Sequence, residues 1–405
     1  MKLVTIIDTF PGLNGKICVG GPETNLDRLT KFMAIHHGDE VKTTVFIHRG
    51  TLAPSPLEIN QESAEAKIIR SPSLLKLTRY LIRHQNDFDL LYFLDKTVYF
   101  RPHLFLTLLR SIRKPILLRV TSTKYLDYAR KIPSWVRKAL YRLLLNRRSN
   151  IFFLSLSQEC TKRLKALGIP EKNLVIIPNA VDLDRYTPPS DAHRRIQKRS
   201  EIFGALDPRA CVFVYVGRII GWHKRVDHML EAWEQSGLAD QGHKLLLIGA
   251  PKRDVFITDG FRLWENAGPQ NGQSGPGKLA GTYWAGLLHV SKIPEYLWMS
   301  DCFVLPSDFE GMSNAAVEAL ASGLPIIGRK GVSGNVELIE PRVTGQFFET
   351  IPELAQQMQW FASFENRQGM REACLARSKN FSVETMCRSY LQFFKDSHRA
   401  LSQSR

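Results

Sequence analysis

The sequence predicts two doubly wound α/β halves, each a parallel sheet with helices on both faces. Three observations carry that expectation. The chain has 405 residues, enough for two or three domains at roughly 150 residues each. Short apolar runs alternate with segments of helical period along most of its length. The alternation breaks once, over Arg185–Pro208, and then restarts. Hydrophobic residues at 44% and charged residues at 23% are ordinary for a folded chain, which excludes disorder, collagen-like sequence and a disulfide mini-scaffold.

The elements follow in order. Val4–Ile7 reads as a strand, followed by a loop carrying Gly12, Gly15, Gly20 and Gly21. Leu26–His37 has helical period and Val41–Ile47 is β-branched and strand-like. Leu74–Gln85 predicts an amphipathic helix, Leu90–Leu94 a strand, His103–Ile112 a helix and Pro115–Val120 a strand. A basic helix, Ser134–Arg148, leads into a strand at Ile151–Leu156. Gln158–Leu167 is helical, stopped by Gly168 and Pro170, and Leu174–Ile177 is again a strand. After the break come a strand at Val212–Val216, a helix at Arg225–Gln235 and a strand at Lys244–Ile248. Gly260–Gly281 is glycine-rich and polar and predicts a mobile loop near a ligand. Trp284–Leu288, Cys302–Leu305, Pro325–Ile327 and Gly345–Phe348 supply further strands. The expected division is a first domain over 1–186, a linker over 187–208 with a short helix, a second domain over 209–380, and a C-terminal helix over 381–405 returning to the first domain. Doubly wound halves place ligands at the carboxyl ends of their strands, here in the crevice between the two.

Cys18, Cys160, Cys211, Cys302, Cys374 and Cys387 are scattered, with no pair or Cys/His cluster at metal-ligand spacing. Cys211 and Cys302 lie inside apolar strands and read as small core residues. No apolar run reaches the roughly 18–20 residues that span a bilayer, and the opening seven residues are too short for a leader core. These features predict a cytoplasmic enzyme. Lys and Arg total 55 against 39 Asp and Glu, a net charge of +16, which suits anionic partners such as nucleotide phosphates or a membrane surface.

The segment Asp301–Ile327 is the most informative for chemistry. A buried strand leads through Pro306-Ser307 to Glu310-Gly311-Met312-Ser313-Asn314, then a helix over Ala315–Ala321. Gly311 lets backbone approach a ligand. Ser313 or Asn314 can cap the helix, whose first amides and dipole attract an anion. Glu310 before the helix and Glu318 within it can flank one ligand and accept from its hydroxyls, which points to sugar or ribose. Two glutamates at this spacing also occur by chance in many helices; the surrounding strand, cap and Gly-x-Pro exit raise the reading above that. A second signal is Val216-Gly217-Arg218 followed by His223-Lys224-Arg225, cations at a strand end and a helix start that can clamp a diphosphate.

Gly217-Arg218, Lys224, Glu310, Glu318 and the run Ile177-Pro178-Asn179-Ala180-Val181-Asp182 together resemble retaining glycosyltransferases of the GT-B fold, family four (glycosyl transferases group 1). The resemblance covers most of the chain and is strongest from Leu154 to Gly345. It implies two Rossmann-like domains, a sugar-nucleotide donor held mainly by the second, and an acceptor held by the first. By that resemblance Arg218 and Lys224 neutralise the diphosphate and its growing charge. Glu310 holds sugar hydroxyls, the amides of Gly311, Met312 and Ser313 meet sugar and phosphate, Asn314 joins them in binding the donor, and Glu318 binds ribose. Gly20 and Gly21 match the family's glycine-rich loop facing donor and acceptor. The implied reaction needs no metal or bound cofactor, and it serves cell-surface polysaccharide or glycolipid synthesis. Three departures stand out. The stretch from Arg218 to Lys224 is one residue longer than in relatives, so by the resemblance either Lys224 or Arg225 is the phosphate-binding cation, with Lys224 favoured. Thr121-Ser122-Thr123 follow Val120 where many relatives place a histidine, and Ala180 stands where relatives usually have glycine.

In Ser134–Arg148 one face carries Val136, Ala139, Leu140, Leu143 and Leu144, and Arg137, Lys138, Arg142, Arg147 and Arg148 surround the other, with Trp135 near the start. That describes either a packed helix with a solvated basic face or a helix that docks on anionic lipid. Lys76, Arg79, Arg83, Arg110, Arg113 and Lys114 add charge to the same half, which fits a glycan or lipid-linked acceptor. Nucleic-acid binding needs aromatics interleaved with basic residues or a helix-turn-helix, and neither is found. An epimerase-like enzyme needs an acid/base pair at the sugar, and none is identified; a small soluble acceptor remains an alternative.

Overall fold

The computed structural model describes residues 1–7, 21–47, 59–62, 67–70, 74–94, 111–120, 135, 150–249, 275–277 and 279–403. The chain divides into two units, Met1–Ala180 with Val383–Arg405, and Val181–Ser382.

The first unit holds an eight-stranded sheet. Its strands are β1 (Lys2–Ile7), β2 (Lys42–Ile47), β3 (Ile59–Glu62), β4 (Lys67–Arg70), β5 (Leu90–Leu94), β6 (Ile116–Val120), β7 (Ile151–Ser155) and β8 (Leu174–Ile176). They lie in the order β3-β4-β2-β1-β5-β6-β7-β8, and every neighbouring pair is parallel except β3 with β4. Every residue of β5 and β6 is buried, as expected of a parallel sheet covered on both faces. Leu91, Ile116 and Leu164 sit in its core, each removed completely from water and each worth about 1.5–3 kcal/mol of transfer energy.

The first helix begins at Gly21 and runs to His37, five residues earlier than the apolar period indicates. Gly21 is therefore a helical residue and not part of a loop, while Gly20 lies outside the described residues. The last helix, Val383–Gln403, packs against this first helix. Its Tyr390 hydroxyl meets that of Tyr92 on β5 at 2.8 Å, and its Phe393 ring stands edge-on to Phe152 at 5.1 Å. The basic stretch 134–148 lies outside the described residues apart from Trp135, which is 72% exposed. Thr121-Ser122-Thr123 also lie outside them.

The second unit holds a seven-stranded sheet of β9 (Val212–Val216), β10 (Lys244–Ile248), β11 (Gly275–Pro276), β12 (Thr282–Trp284), β13 (Cys302–Leu305), β14 (Ile326–Arg329) and β15 (Gly345–Phe348). Their order is β11-β12-β10-β9-β13-β14-β15, parallel throughout except at β11–β12. β12 ends at Trp284 rather than starting there, because Gly286 turns in the left-handed region. The Trp284 indole donates to Gly249 O at 2.9 Å, and Gly249 N donates to Gly286 O at 2.9 Å. Phe213, Trp233, Leu247, Val304 and Phe361 form the core. Cys211 and Cys302 are fully buried free thiols, and burial pushes both far above the usual thiol range, so they serve as inert packing.

The stretch over 187–208, expected to link the halves, belongs to the second unit. Asp191 caps a twelve-residue helix, Ala192–Phe203, which packs on the helix Ile293–Met299. Arg195 and Arg199 are four residues apart and so share one face, from which both guanidiniums donate to the Asp301 carboxylate. Val212 N donates to the same carboxylate at 2.8 Å, Arg367 stands 3.8 Å away, and Arg199 Nε donates to Met299 O at 2.7 Å. Burial pushes the Asp301 carboxyl up, but Arg199, Arg195, Arg367 and the Val212 amide outweigh it and hold the group below the usual carboxylate range. The unit's two ends meet where Val181 N donates to Phe381 O at 2.8 Å.

Candidate functional site

In the second sheet the strand order reverses between β9 and β13, and open α/β sheets bind ligands at the carboxyl ends of such strands. Two loops leave there. The first follows β9 through Gly217 and Arg218 to Lys224 and then the helix Val226–Ser236. Gly217 N donates to Ile248 O at 2.9 Å, and a Cβ on neighbouring Gly249 would lie 1.8 Å from Gly217 O, so only glycine lets these strand ends meet. The buried Tyr215 hydroxyl donates to Arg218 O at 2.8 Å and shapes the turn; burial raises its pKa and keeps it a neutral donor. The Arg218 side chain is exposed beyond it.

The second loop follows β13 through Pro306, Ser307 and Asp308 to Glu310, and Asp308 N donates to His223 O at 3.0 Å, tying the loops together. Lys224 Nζ donates to Glu310 Oε1 across this junction. Their side chains are 15% and 14% exposed, so the pair is largely withdrawn from water yet reachable. The Ser307 hydroxyl donates to the same Glu310 oxygen at 3.0 Å. Burial pushes the Glu310 carboxyl up, and Lys224, His223 and the Ser307 hydroxyl together outweigh it, leaving the group below the usual range. Glu310 is thus an ionised carboxylate at neutral pH, already holding one cation.

Arg225, the alternative to Lys224, has another role. It adopts the left-handed conformation at φ 50 and precedes the helix Val226–Ser236. Its guanidinium stands 3.2 Å from Asp227 and 3.8 Å from Asp308. Behind it, Arg329 at the end of β14 donates from Nε to Pro306 O at 3.3 Å, and its Nη2 meets His228 Nδ1 at 3.0 Å. Burial first, then Arg225 and Arg329, lower the His228 pKa, so a neutral ring accepts from Arg329.

Glu310 O accepts from the Ser333 hydroxyl at 2.9 Å, and a Cβ on Gly334 would lie 2.6 Å from Met312 Cα. The loop Gly311–Ser313 is pinned by this close approach. Ser313, rather than Asn314, is the cap: its hydroxyl accepts from Ala316 N at 3.4 Å. The helix Asn314–Ala321 therefore starts at the same sheet end as the Lys224–Glu310 pair, with the positive end of its dipole there. Glu318 lies one turn along and is 8% exposed. The structure brings Lys224 and Glu310 into direct contact, with Gly311, Met312, Ser313 and Asn314 next along the same loop. Gly21 lies in the first unit.

Ser307, Asp308, Ser333 and Arg329 complete the site without having been singled out by sequence. Ser307 and Asp308 adjoin Glu310, which was signal enough to include them. Ser333 and Arg329 reach it from β14 and the segment after it, through contacts that no local spacing encodes. In the first unit, the segment ending at Ala180 is held by three side chains. Ala180 N donates to Asn25 Oδ1 at 3.0 Å, Arg28 donates to Ala180 O, and Arg119 of β6 donates to Asn179 Oδ1. The described non-glycine residues in the left-handed region are Arg225 and Arg342, so this turn needs no glycine at Ala180.

Residues 210–363 match the family described as Glycosyl transferases group 1. The UDP-Gal:alpha-D-GlcNAc-diphosphoundecaprenol alpha-1,3-galactosyltransferase of Escherichia coli is 28% identical over 189 residues, 46% of this chain and 44% of its own. The 2-deoxystreptamine glucosyltransferase of Streptomyces kanamyceticus is 27% identical over 191 residues, again 46% and 44%. The chain thus spans less than half the length of these curated relatives. HepE from Anabaena, solved in complex with UDP and glucose, superposes with a TM-score of 0.70 at 17% identity, over 98% of this chain and 100% of that one.

Proposed function

We propose that this chain, whose fold is GT-B and whose residues 210–363 match the glycosyl transferases group 1 family, is a retaining, metal-independent glycosyltransferase. It moves a sugar from a nucleoside-diphosphate donor to a glycan or lipid-linked glycan in cell-surface polysaccharide or glycolipid synthesis. The observation that carries the reading is the Lys224–Glu310 pair at the β9/β13 switch point, set beside the start of a capped helix.

The chemistry follows from those groups. A donor diphosphate draws the Lys224 ammonium and the exposed Arg218 guanidinium, and the helix dipole favours the same negative charge. Glu310, an acceptor only, then takes hydrogen bonds from sugar hydroxyls, and Glu318 takes them from ribose. As the bond from the sugar's anomeric carbon to the diphosphate breaks, charge grows on the leaving oxygen, where the cations stabilise it most. The acceptor hydroxyl attacks from the same face and passes its proton to that leaving oxygen, so the anomeric configuration is kept. Cationic side chains supply the charge that a divalent metal supplies elsewhere, and no bound cofactor is assigned.

The UDP-galactose-using relative acts on a diphosphoundecaprenol-linked sugar, which supports a lipid-linked acceptor. The 2-deoxystreptamine relative is nearly as similar and supports a small soluble one. A basic first unit favours the former. Lys76, Arg79 and Arg83 are exposed on the helix Leu74–Arg83, whose Leu77 and Leu81 are buried, and Trp135 is exposed. On this reading the first unit docks on anionic lipid at the cytoplasmic face. No described helix is long and apolar enough to cross a membrane. The test supplies UDP- and GDP-hexoses with lipid-linked and soluble acceptors, and follows nucleoside diphosphate release and product configuration by proton NMR. Acceptor-dependent release with retention supports the reading; inversion, or release of an epimerised donor, contradicts it.

A further inference from the structure

Among the described residues, three tryptophan, tyrosine or phenylalanine side chains stand largely in water: Trp135, Trp222 and Phe364. Trp222 is the one beside the candidate site, two residues before Lys224, and it is 67% exposed. It is also held in place. Its ring lies 5.0 Å from that of His223 and 6.2 Å from that of Phe309, and the His223 and Phe309 rings lie 4.7 Å apart. His223 is 7% exposed and its carbonyl takes the Asp308 amide, so the cluster is anchored to both loops at once. Phe309 directly precedes Glu310. An indole fixed on one side and open on the other, beside a hydroxyl-accepting carboxylate, has the two components that recognise a pyranose. The apolar C–H face of a sugar could cover the ring while its hydroxyl edge reached Glu310 and the part-exposed Asp308.

We propose that Trp222, backed by His223 and Phe309, is a stacking platform for a hexopyranose ring. This deepens the transferase reading and rests on it. The sugar is either the donor's own or the first residue of the acceptor, and these two sources share the same chemistry.

The experiment compares wild type with Trp222→Ala and Trp222→Phe, after thermal melting confirms that each variant folds. Saturation-transfer NMR with the methyl α-glycosides of glucose, galactose and mannose reads sugar contact without any donor. Calorimetry with UDP, GDP, UDP-glucose, UDP-galactose and GDP-mannose reads the donor side. The expected result is a glycoside signal that Trp222→Ala abolishes and Trp222→Phe keeps. An accompanying loss of about tenfold in sugar-nucleotide affinity, with nucleoside-diphosphate affinity unchanged, assigns the platform to the donor sugar. Unchanged donor affinity assigns it to the acceptor. Weaker binding of UDP or GDP themselves to Trp222→Ala overturns the proposal in favour of a base-stacking role. Normal sugar-nucleotide binding with no Trp222-dependent glycoside signal overturns the platform and leaves the transferase reading standing. A Trp222-dependent glycoside signal with no sugar-nucleotide binding keeps the platform and refutes the transferase reading.

Discussion

Lys224 and Glu310 neutralise each other where two loops meet, and on the proposed reading a donor diphosphate would compete with the carboxylate for the ammonium. That makes both residues sensitive to charge-preserving and charge-removing changes. Lys224→Ala is expected to lower turnover about 10²–10³-fold, the usual cost of removing one partner of developing charge, at about 2.7–4 kcal/mol, and Glu310→Gln is expected to lower it comparably, because it removes a sugar contact together with the carboxylate that positions Lys224. Glu318→Ala is expected to raise the donor KM and change kcat little, because the ribose contact proposed for it would be equal in ground and transition states. Steady-state kinetics separates the two patterns, and near-normal kcat in both Glu310→Gln and Lys224→Ala would remove the site assignment. Arg225 allows a test of the backbone beside them. Its left-handed conformation costs a non-glycine residue roughly 1–2 kcal/mol, and its part-exposed ion pairs return at most about 1 kcal/mol. Arg225→Gly and Arg225→Ala both lose the pairs, yet only glycine relieves the conformation. Arg225→Gly should therefore be more stable than Arg225→Ala by about 1 kcal/mol in urea unfolding; equal stability counts against the argument. Lys224 and Glu310 were each marked in sequence, as residues a few positions past a strand, but their pairing was not, because it depends on two strand exits meeting at the switch point. Ser333 was not, because its reach to Glu310 O depends on Gly334 closing on Met312.

The helix Ala192–Phe203 shows what element-level reading misses. Pro188 and Pro189 mark a break in regular structure, and the basic run beside them reads as a linker with a short helix. The deciding feature is the four-residue spacing of Arg195 and Arg199, which aims both at one buried acid across more than a hundred residues of sequence. Pro22 could likewise have signalled the early start of the first helix, since proline suits a helix's first turn. The edge pair β3–β4 was invisible for a different reason: Ile59–Glu62 is mostly polar and lacks the continuous apolar run of the central strands. Asp301→Ala should destabilise the protein by about 3–5 kcal/mol, because Arg199 and the Val212 amide are left buried without their partner. The same group sets an acid response. Its carboxyl titrates below the usual range in the fold, so its stabilisation is present above the unfolded value near pH 4 and is lost as pH falls through the folded value. Wild type should thus lose more stability than Asp301→Ala between pH 6 and pH 3, and parallel losses would contradict the assignment.

At the scale of the whole chain, the second unit is continuous in sequence and closed by Val181 on Phe381, whereas the first needs the C-terminal helix to cover Tyr92 and its own first helix. Residues 181–382 produced alone are expected to unfold cooperatively. Deletion of 383–405 is expected to lower the melting temperature of the first unit by exposing Tyr92 and Phe152. Calorimetry that finds the deletion variant as stable as the full chain would refute the second expectation. The charge of +16 has its own consequence. Each Lys or Arg near an anionic surface contributes about 1 kcal/mol, so vesicles containing phosphatidylglycerol should sediment the protein at low salt and release it at high salt. Equal recovery with neutral and anionic vesicles favours the soluble acceptor.

The central claim is that the second unit holds a nucleoside-diphosphate sugar through Lys224, and calorimetric titration of the full chain tests it most directly. A panel of UDP- and GDP-hexoses is titrated into wild type and into Lys224→Ala. The account predicts that at least one member binds wild type with one molecule per chain. It also predicts that Lys224→Ala weakens that binding about 10- to 100-fold, the effect of losing one charge-assisted hydrogen bond of about 1.5–3 kcal/mol. Binding of equal strength in the two proteins, or no binding by any member of the panel, would contradict it.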